Sequence, residues 1–527
     1  PMNDLVAAVD VGTGSARAGL LDRHGDLLGR GEQPIRMNQP KLNFAEHDSE
    51  DIWRAVCGAV REALAQADAQ PDMVKGISFD ATCSLVVRDT EGRQLSVSES
   101  GEDRWDTIVW FDHRAIAEAE ECTASDHRVL DFIGGVMSPE MEMPKLMWLK
   151  RHMPGQWTLA GHFFDLADFL TWKASGSLQR SQCTLTSKWT YLGHERPGWQ
   201  MDFLAAMGLA DVLERGRLPA QASPIGSDLG PLTEAAAAAL GLTVGCRVGV
   251  GLIDAHAGVL GVLGGRLAEG SAERHMGLIA GTSSCVMALS PDPRPTPGVW
   301  GPYFGAVLPE LWLNEAGQSA TGALLDHIIR WHGAGGEPDG ESHGRVIERV
   351  QELRRAEGAD FASRLHVLPD FHGNRSPLAD PHAVGVISGL TLDSSFDSLC
   401  RLYWRTAVGI TLGVRHILDT LNRSGYAIDT LHVTGGHTKN PLLMELYADA
   451  TGCTVVEPAA QDAVLLGTGM VAATAAGLHS DLANAAIAMT KGGRERRPDA
   501  IAAMNYEHDY RVFLAMVDQR SAIDAIR

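Results

Sequence analysis

The chain has 527 residues, of which 45% are hydrophobic and 21% are charged, and its formal net charge is −21. A single hydrophobic core seldom grows beyond about 250–300 residues, so this length predicts two large domains. Nucleic acids and anionic membranes attract basic surfaces, and the acidic balance therefore argues against both as main partners. It remains compatible with a phosphate ligand, because backbone N–H groups and a divalent cation can hold phosphate oxygens.

Eight cysteines are scattered singly along the chain, at positions 57, 83, 122, 183, 246, 285, 400 and 453. The sequence has no CxxC pair, which argues against a zinc ribbon or a redox dithiol. We therefore expect free thiols in a reducing compartment. No basic segment followed by an apolar stretch precedes the first predicted strand, so a signal peptide is not expected. These features predict a cytoplasmic location.

The first half of the chain opens with short apolar runs separated by turns. Apolar alternation, helical spacing and turn residues predict the following elements in chain order: strand Leu5–Val11, turn Gly12–Ser15, strand Ala16–Leu21, strand Leu27–Ile35, helix Ser49–Ala67, strand Val74–Phe79 and hairpin Ser84–Leu95. This alternation indicates an α/β domain.

The second half repeats the opening of the first. The predicted elements are strand Met276–Ala280, turn Gly281–Ser284, strand Cys285–Leu289, helix Phe396–Leu421, strand Leu431–Thr434, helix Pro441–Thr451, strand Thr454–Glu457 and helix Ala463–Gly477. The strand–Gly-Thr–strand unit at the start of both halves indicates an internal duplication. We place the boundary between the two domains at 258/259, within a glycine-rich crossing at Asp254–Gly265. A surface loop is predicted at Gly333–Gly344.

The two glycine-rich turns are candidate phosphate sites. The predicted phosphate-binding residues are Gly12, Thr13, Gly14 and Ser15 in the first turn, and Gly281, Thr282 and Ser283 in the second. Such turns let backbone N–H groups approach phosphate oxygens without an intervening Cβ. Asp10, at the end of the first strand, can hold Mg²⁺ or its water shell. Each turn alone is also compatible with an ordinary hairpin turn, and only the two together favour a phosphate site.

A carboxylate lies within an apolar, glycine-rich run at Asp254. Burying such a charge is costly unless it is paired or used in function. Phosphoryl transfer to an alcohol needs a carboxylate that orients the hydroxyl and accepts its proton, and Asp254 suits this role. The alternative is an aspartate that caps a helix. His256, two residues later, is more typical of a structural histidine.

A third loop, Gly435–Asn440, lies between a predicted strand and a predicted helix. Gly435 and Gly436 would allow the backbone to approach a flat ligand such as adenine, with Asn440 nearby. The alternative is an ordinary strand–helix loop. Polyol ligands need fixed donors and acceptors beside an apolar wall. Candidates in the first half are the segments around Thr82, Asp112 and Lys188.

These segments, in this order, resemble the FGGY family of carbohydrate kinases over essentially the whole chain. The matching segments are Asp10–Ser15, Trp110–Arg114, Met143–Leu149, Asp254, Gly281–Ser284 and Gly435–Gly436. The resemblance implies two actin-like (ribonuclease H-like) α/β domains around a central cleft, with ATP and Mg²⁺ as cofactors. One departure is Glu142, where the family signature usually has a small residue or proline.

Within that family the chain looks most like the ribulokinase branch. The segments 79–87, 110–114, 253–258 and 314–319 carry this similarity. It implies that Ala81, Lys188, Asp254 and Glu315 contact a ketose. Ala81-Thr82 stands where glycerol kinases carry an Arg-Glu pair, so glycerol is not expected as the substrate.

We therefore predict an ATP-dependent kinase that phosphorylates a ketopentose, with D-ribulose favoured over L-ribulose, D-xylulose or a pentitol such as ribitol. Its small-molecule partners would be sugar and ATP, and a homodimer is compatible with the sequence. The alternative from another class is an actin-fold ATPase with a sugar-sensing or chaperone-like role.

Overall fold

The computed structural model describes residues 4–526. Its strands are β1 (Leu5–Val11), β2 (Ser15–Asp22), β3 (Leu27–Pro34), β4 (Met37–Asn38), β5 (Glu46–His47), β6 (Val74–Ala81), β7 (Leu85–Asp89), β8 (Thr107–Ile108), β9 (Ala160–Asp165), β10 (Asp228–Pro231), β11 (Arg247–Gly249), β12 (Leu252–Ile253), β13 (His275–Ala280), β14 (Ser284–Ser290), β15 (Trp300–Phe304), β16 (Trp312–Gln318), β17 (His366–Leu368), β18 (Val386–Ser388), β19 (Thr430–Thr434), β20 (Thr454–Pro458) and β21 (Gly493–Arg496).

Helices alternate with these strands in both halves. They are α1 (Ser49–Ala67), α2 (Ile116–Ala124), α3 (Glu142–His152), α4 (Pro154–Leu159), α5 (Leu166–Ser175), α6 (Gln182–Lys188), α7 (Met201–Ala206), α8 (Val212–Gly216), α9 (Glu234–Leu240), α10 (Asp254–Ala268), α11 (Gly322–Trp331), α12 (Gly340–Glu357), α13 (Phe396–Arg423), α14 (Pro441–Asp449), α15 (Ala463–Ala475), α16 (Leu482–Met489) and α17 (Ala500–Asp524). Among residues 4–526, no helix has the length and apolar character that a membrane crossing requires.

The first large sheet has the strand order β10-β11-β6-β1-β2-β3, with β12 also paired to β6. The central strand β1 is buried along its whole length, which explains its uninterrupted apolar run. It is antiparallel to β2 and parallel to β6. The parallel strands β1, β6 and β12 therefore direct their carboxyl ends to one edge of the sheet, where Asp10, Ala81 and Asp254 follow one another in space.

The second large sheet repeats this arrangement in the order β15-β16-β14-β13-β19-β20-β21. Its central strand β13 is antiparallel to β14 and parallel to β19, as β1 is to β2 and β6. The topology therefore repeats in the second half, in agreement with the predicted duplication. A smaller sheet, β4-β5-β8-β7-β9, adds a layer to the first half.

Two helices cross where the halves meet. The predicted glycine-rich crossing at Asp254–Gly265 is the helix α10, which packs against α15 and the second sheet, while α15 packs on the first sheet. A Cβ at Gly261 would overlap the carbonyl of Ala463, and a Cβ at Gly467 would overlap the carbonyl of Ala257. The glycines are thus needed for helix contact rather than for a flexible linker. The division at 258/259 remains a prediction.

Candidate functional site

The first glycine-rich turn joins β1 to β2 and is open to solvent. The N–H of Gly12 donates to the carbonyl of Ser15 at 2.9 Å, and a Cβ at Gly14 would meet no atom within 4 Å. The Nε1–H of Trp110 donates to Thr13 Oγ1 at 3.0 Å. This bond ties the turn to the Trp110–Arg114 loop, so two of the segments predicted to act together do lie together.

The second turn joins β13 to β14, and Thr282 and Ser283 at its tip are exposed. The N–H of Gly281 donates to the carbonyl of Ser283 at 2.9 Å, which is the counterpart of the bond in the first turn. The carbonyl of Gly281 accepts from Thr321 Oγ1 at 2.9 Å and lies 2.8 Å from His437 Nε2. His437 belongs to the third predicted loop, so the second turn and the Gly435–Asn440 loop form one structure.

The two glycines of the third loop have different roles. Gly435 has a φ of 93°, and a Cβ there would overlap the carbonyl of Ala280, so glycine is required for the fold itself. Gly436 is exposed and faces open space. Asn440 caps α14, since its Oδ1 accepts from the N–H groups of Leu442 and Leu443 at 3.1 and 3.3 Å. Gly435 and Gly436 are both exposed, and Gly436 is the one where an added Cβ would meet no protein atom within 4 Å.

Asp10 is buried at the end of β1 and forms an ion pair with Arg17 on β2. Arg17 also reaches Asp462, next to α15, at 3.5 Å. Asp10 lies opposite Asp80 in the register of β1 and β6. Asp80 accepts a 2.5 Å hydrogen bond from Thr468, but its second oxygen has no protein partner. Carboxylates therefore concentrate beside the first turn.

Sequence reasoning placed Asp80 within the candidate sugar segment around Thr82 but gave it no role beside Asp10. Burial raises the pKa of Asp80 well above the usual range, opposed by the Thr468 hydrogen bond and reinforced by the nearby Asp254 charge. The available signal was its position, because it ends a buried strand one residue before Ala81. Oxygen ligands of this kind suit Mg²⁺, which is commonly bound by one or two carboxylates together with waters and phosphate oxygens. Within residues 4–526, no group of three or more metal-ligating side chains occurs.

Asp254 is the first residue of α10 and is half-buried. Its Oδ1 accepts from the N–H of Ala255 at 2.8 Å, which leaves Oδ2 free of protein hydrogen bonds. Burial raises the pKa of Asp254 above its ordinary value, although the Ala255 N–H and His256 oppose this and Glu315 adds to it. A raised pKa makes a carboxylate a stronger base.

Two further predicted sugar residues share the environment of Asp254. Glu315 lies on β16, and the pKa of its carboxyl is lowered to about 2 because His256 and Lys188 outweigh the effect of burial. Lys188 ends α6 and has no hydrogen-bond or ion-pair partner among the described residues. Burial pulls the pKa of Lys188 down, but Cys83, Glu315 and other negative groups outweigh it. A charged donor and a charged acceptor therefore flank the proposed base.

Three predicted sugar contacts, Ala81, Thr82 and Asp112, are buried in this structure. Ala81 is completely buried in the core of the first half, and Asp112 is 1% exposed. The carboxylate of Asp112 accepts from Arg114 and from the N–H of Ala45 at 2.7 Å, so its lone pairs are already used. Thr82 is also buried, with its hydroxyl 3.4 Å from Ser84. In the protein alone these residues pack the wall of the site and fix its loops, and their contact with a sugar remains a prediction.

Glu142, the departure from the family signature, is fully buried at the start of α3. Neither of its carboxylate oxygens has a hydrogen-bond partner. Burial raises its pKa to about 8, against the opposing charges of Lys145 and Lys188. Asp165, at the end of β9, has one unpartnered oxygen and a pKa raised first by burial and then by Glu142. The two acids thus lie close to each other behind Lys188.

Solved structures define the class of this fold. The structure superimposes on xylulose kinase from Rhodospirillum rubrum with a TM-score of 0.80, 22% identity, and coverage of 98% of this chain and 99% of that chain. This similarity confirms the predicted architecture of two α/β domains.

All eight cysteines are free, as expected from their spacing.

Sequence comparisons then define the family. Residues 5–261 match the N-terminal domain of the FGGY family of carbohydrate kinases, and residues 276–476 match its C-terminal domain. The chain is 44% identical over 528 residues to the FGGY carbohydrate kinase domain-containing protein of Danio rerio, covering 96% of each. It is 36% identical over 516 residues to a D-ribulokinase of Saccharomyces cerevisiae, covering 90% of this chain and 72% of the yeast protein. The chain belongs to the FGGY family of carbohydrate kinases and, as predicted, is a sugar kinase that uses ATP.

Proposed function

We propose that this kinase phosphorylates a ketopentose, with D-ribulose converted to D-ribulose 5-phosphate. The observation that carries the proposal is the convergence of Lys188, Asp254 and Glu315 beside the two phosphate turns. The similarity to a yeast protein named D-ribulokinase supports ribulose as the sugar. L-ribulose, D-xylulose and ribitol are the alternative acceptors. The similarity to carbohydrate kinases over the whole chain disfavours a sensing or chaperone-like ATPase.

In the proposed reaction, Asp254 accepts the proton of the sugar hydroxyl that attacks the γ-phosphate. Its carboxylate needs to orient this hydroxyl more than to act as a strong base, because proton transfer is late in a loose phosphoryl-transfer transition state. The free ammonium of Lys188 and the carboxylate of Glu315 would hold the ketose. Backbone N–H groups of the turns at Thr13 and Thr282 would donate to phosphate oxygens.

Mg²⁺ belongs to this proposal as the cofactor that neutralises charge between the β- and γ-phosphates. Asp10 would hold the ion or its water shell, with phosphate oxygens completing the ligand set. Asp80 lies opposite Asp10 on β6, and its buried Oδ1, which lacks a protein partner, would be a further oxygen beside the ion. Without the ion, the charge of Asp10 is neutralised by its ion pair with Arg17.

The ATP site of the proposal comprises the two turns and the loop at Gly436. The open surface of Gly436 beside the second turn would receive the adenosine moiety, while Gly435 and Asn440 shape the loop. A cytoplasmic location and a homodimer remain predictions from the sequence. The proposed division of labour places sugar on the first half and nucleotide mainly on the second.

The test is a coupled ADP assay with D-ribulose, L-ribulose, D-xylulose, ribitol and glycerol under one condition. We expect D-ribulose to give the highest kcat/KM and glycerol to remain near background. One buried polar group left unpaired by a wrong hydroxyl costs about 1–3 kcal/mol, or about five- to 150-fold in rate. If D-xylulose or glycerol ranked first, the assignment of D-ribulose would be wrong.

A further inference from the structure

A buried histidine connects the two halves of the candidate site. His256 is 1% exposed, and its two ring nitrogens point to different elements. Nδ1 lies 3.1 Å from Cys183 Sγ on α6, and Nε2 lies 3.6 Å from Glu315 Oε2 on β16. The imidazole therefore spans from a helix of the first half to a strand of the second sheet.

Each element that His256 contacts carries one residue of the proposed sugar site. Helix α6 begins next to Cys183 and ends at Lys188, and β16 carries Glu315. His256 itself follows Asp254 by two residues on α10. Cys183 Sγ also accepts from the N–H of Ile253 at 3.4 Å, directly before Asp254. One cluster of contacts thus joins the supports of all three proposed site residues.

The charge of Glu315 explains why a histidine lies beside it. A buried carboxylate is stable only when it is paired or hydrogen-bonded. Among residues 4–526, no cationic side chain other than His256 forms an ion pair with Glu315. Lys188 remains outside ion-pair distance, so its ammonium is left for a ligand.

We propose that His256 is a positioning residue that holds the Glu315 carboxylate from behind the sugar site and, through Cys183, keeps α6 and Lys188 in place. This proposal rests on the proposed function, in which Glu315 and Lys188 bind the ketose. It assigns His256 no contact with the substrate. Its effect is on binding of the sugar and not on binding of ATP.

Several titratable groups face Glu315, and a pH experiment must account for them. They are His256 and Asp254 from α10, Lys188 from α6, Cys285 from β14, Tyr303 from β15 and Arg375 from the loop between β17 and β18. His256 is the largest of the favourable influences that lower the pKa of Glu315. Its removal should therefore let Glu315 take up a proton at higher pH, and the loss of the same charge should also raise the pKa of Asp254.

The experiment compares His256→Phe, His256→Gln and Cys183→Ala with the wild type in the coupled ADP assay. We expect His256→Phe to raise the KM for the ketose about tenfold while the KM for ATP changes less than about twofold. His256→Gln keeps a hydrogen-bond donor without the charge. We expect its KM for the ketose to lie between those of the wild type and His256→Phe. Cys183→Ala keeps the Glu315 contact and should have the smaller effect. His432→Gln, at another buried histidine that contacts His275 and has no contact with Cys183 or Glu315, is the matched control.

The pH profile separates positioning from a general structural effect. The acid limb of kcat/KM for the ketose should move upward by about one pH unit or more in His256→Phe. In a Glu315→Gln background the same substitution should cause no such move, because the titrating group is gone. An equal move in both backgrounds would assign the effect to Asp254 and overturn the proposal.

Failure of the proposed function would be visible separately, as a wild type without ketose-dependent ADP release. In that case the His256–Glu315 interaction is still measured by the thermal midpoints of His256→Phe, Glu315→Gln and the double variant. If the changes in thermal midpoint of the two single variants do not add up to that of the double variant, the interaction between His256 and Glu315 is supported. Additive changes overturn it.

Discussion

The two glycine-rich turns occupy equivalent places in the duplicated fold but differ in length and charge. In the first, Val11 pairs with Ala16 across a turn of four residues, whereas in the second, Ala280 pairs with Ser284 across a turn of three. The pair preceding each turn also differs. The first half places the ion pair of Asp10 and Arg17 there, and the second half places Ile279 opposite Cys285.

This difference shows how one architecture has been divided between two tasks. Three carboxylates gather at one edge of the first sheet, where Asp10, Asp80 and Asp254 lie at the ends of three neighbouring parallel strands. The second half contributes one charged site residue, Glu315 on β16, together with an apolar strand end and a loop with open backbone at Gly436. A duplicated fold can therefore keep its strand pairing while its two copies carry different groups of the site.

The largest effect is expected for the proposed base of the charged half. Asp254→Asn should fold and lose about 10²–10⁴ in kcat, because the amide cannot accept the proton of the sugar hydroxyl. Turnover measured by ADP release, with circular dichroism to confirm folding, checks this. A purified variant that kept more than about a tenth of the wild-type kcat would remove Asp254 from the role of base.

A matched pair of substitutions compares the two strand ends directly. Asp10→Ala should reduce kcat by about 10² or more at saturating Mg²⁺, because the carboxylate that positions the cation is lost. Ile279→Ala, at the equivalent place in the second half, should change kcat by less than about fivefold and act mainly on stability. Titration of activity with Mg²⁺ distinguishes them. Equal losses in kcat would contradict the division between the halves.

The nucleotide half is tested at its open glycine. Gly436→Val should raise the KM for ATP about tenfold and leave the KM for the ketose nearly unchanged, since the valine side chain would occupy the space proposed for adenosine. The fold tolerates this change because nothing lies within 4 Å of the added Cβ. Gly435→Val is the contrasting variant and should fail to fold. Equal effects on both KM values would exclude adenosine from this loop.

The remaining expected effect concerns the stability of the first half rather than its catalysis. Burial raises the pKa of Glu142 from its ordinary value of 4.5 to about 8, so its contribution to stability is fully present below pH 4.5 and is lost as pH rises through 8. Glu142→Gln should remove this loss, which is on the order of a few kcal/mol. The variant should therefore gain several degrees in Tm over the wild type between pH 5 and pH 8.5.

Glu140, two residues earlier, provides a control of opposite sign. His113 and Lys188 lower its pKa in spite of burial, so its contribution is present above the ordinary pKa and is lost as pH falls. Glu140→Gln should therefore lose Tm relative to the wild type at pH 8.5 but not at acid pH. Parallel Tm curves for the wild type and Glu142→Gln across this range would show that Glu142 does not control stability.

Local patterns were sufficient for much of the fold. Strand Leu5–Val11 and helix Ser49–Ala67 have the predicted bounds, because a fully apolar strand and a regular amphipathic helix are both signalled within their own residues. The predicted hairpin Ser84–Leu95 is wrong in its second strand. Only Arg88 and Gln94 form a bridge, and β7 instead pairs with β8 and with β9, both of which lie further along the chain. Such distant partners leave no mark in a local pattern.

Loops and site residues were harder to predict. The loop Gly333–Gly344 is shorter than predicted, because Asp339 caps a helix that begins at Gly340. Asp112 has the residue type of a sugar ligand, but its oxygens are occupied by Arg114, and the sequence does not reveal which partner a carboxylate will find. Lys188 and Glu315 are more than 120 residues apart in the chain, and no local pattern shows that they lie near each other in the fold. Only the resemblance to a family could connect them in advance.

The contact between α10 and α15 has a consequence for the tolerance of the site to mutation. At Gly261 and Gly467 the helices meet backbone against backbone, so the separation of the two halves is set by the thickness of the main chain. Gly261 follows Asp254 by seven residues on the same helix, or about 10 Å. A single added methyl group at either glycine would push α10 and α15 apart. Because Asp254 lies on α10, the proposed base would be displaced with its helix. Gly261 and Gly467 would therefore control the position of Asp254 although neither residue belongs to the proposed site.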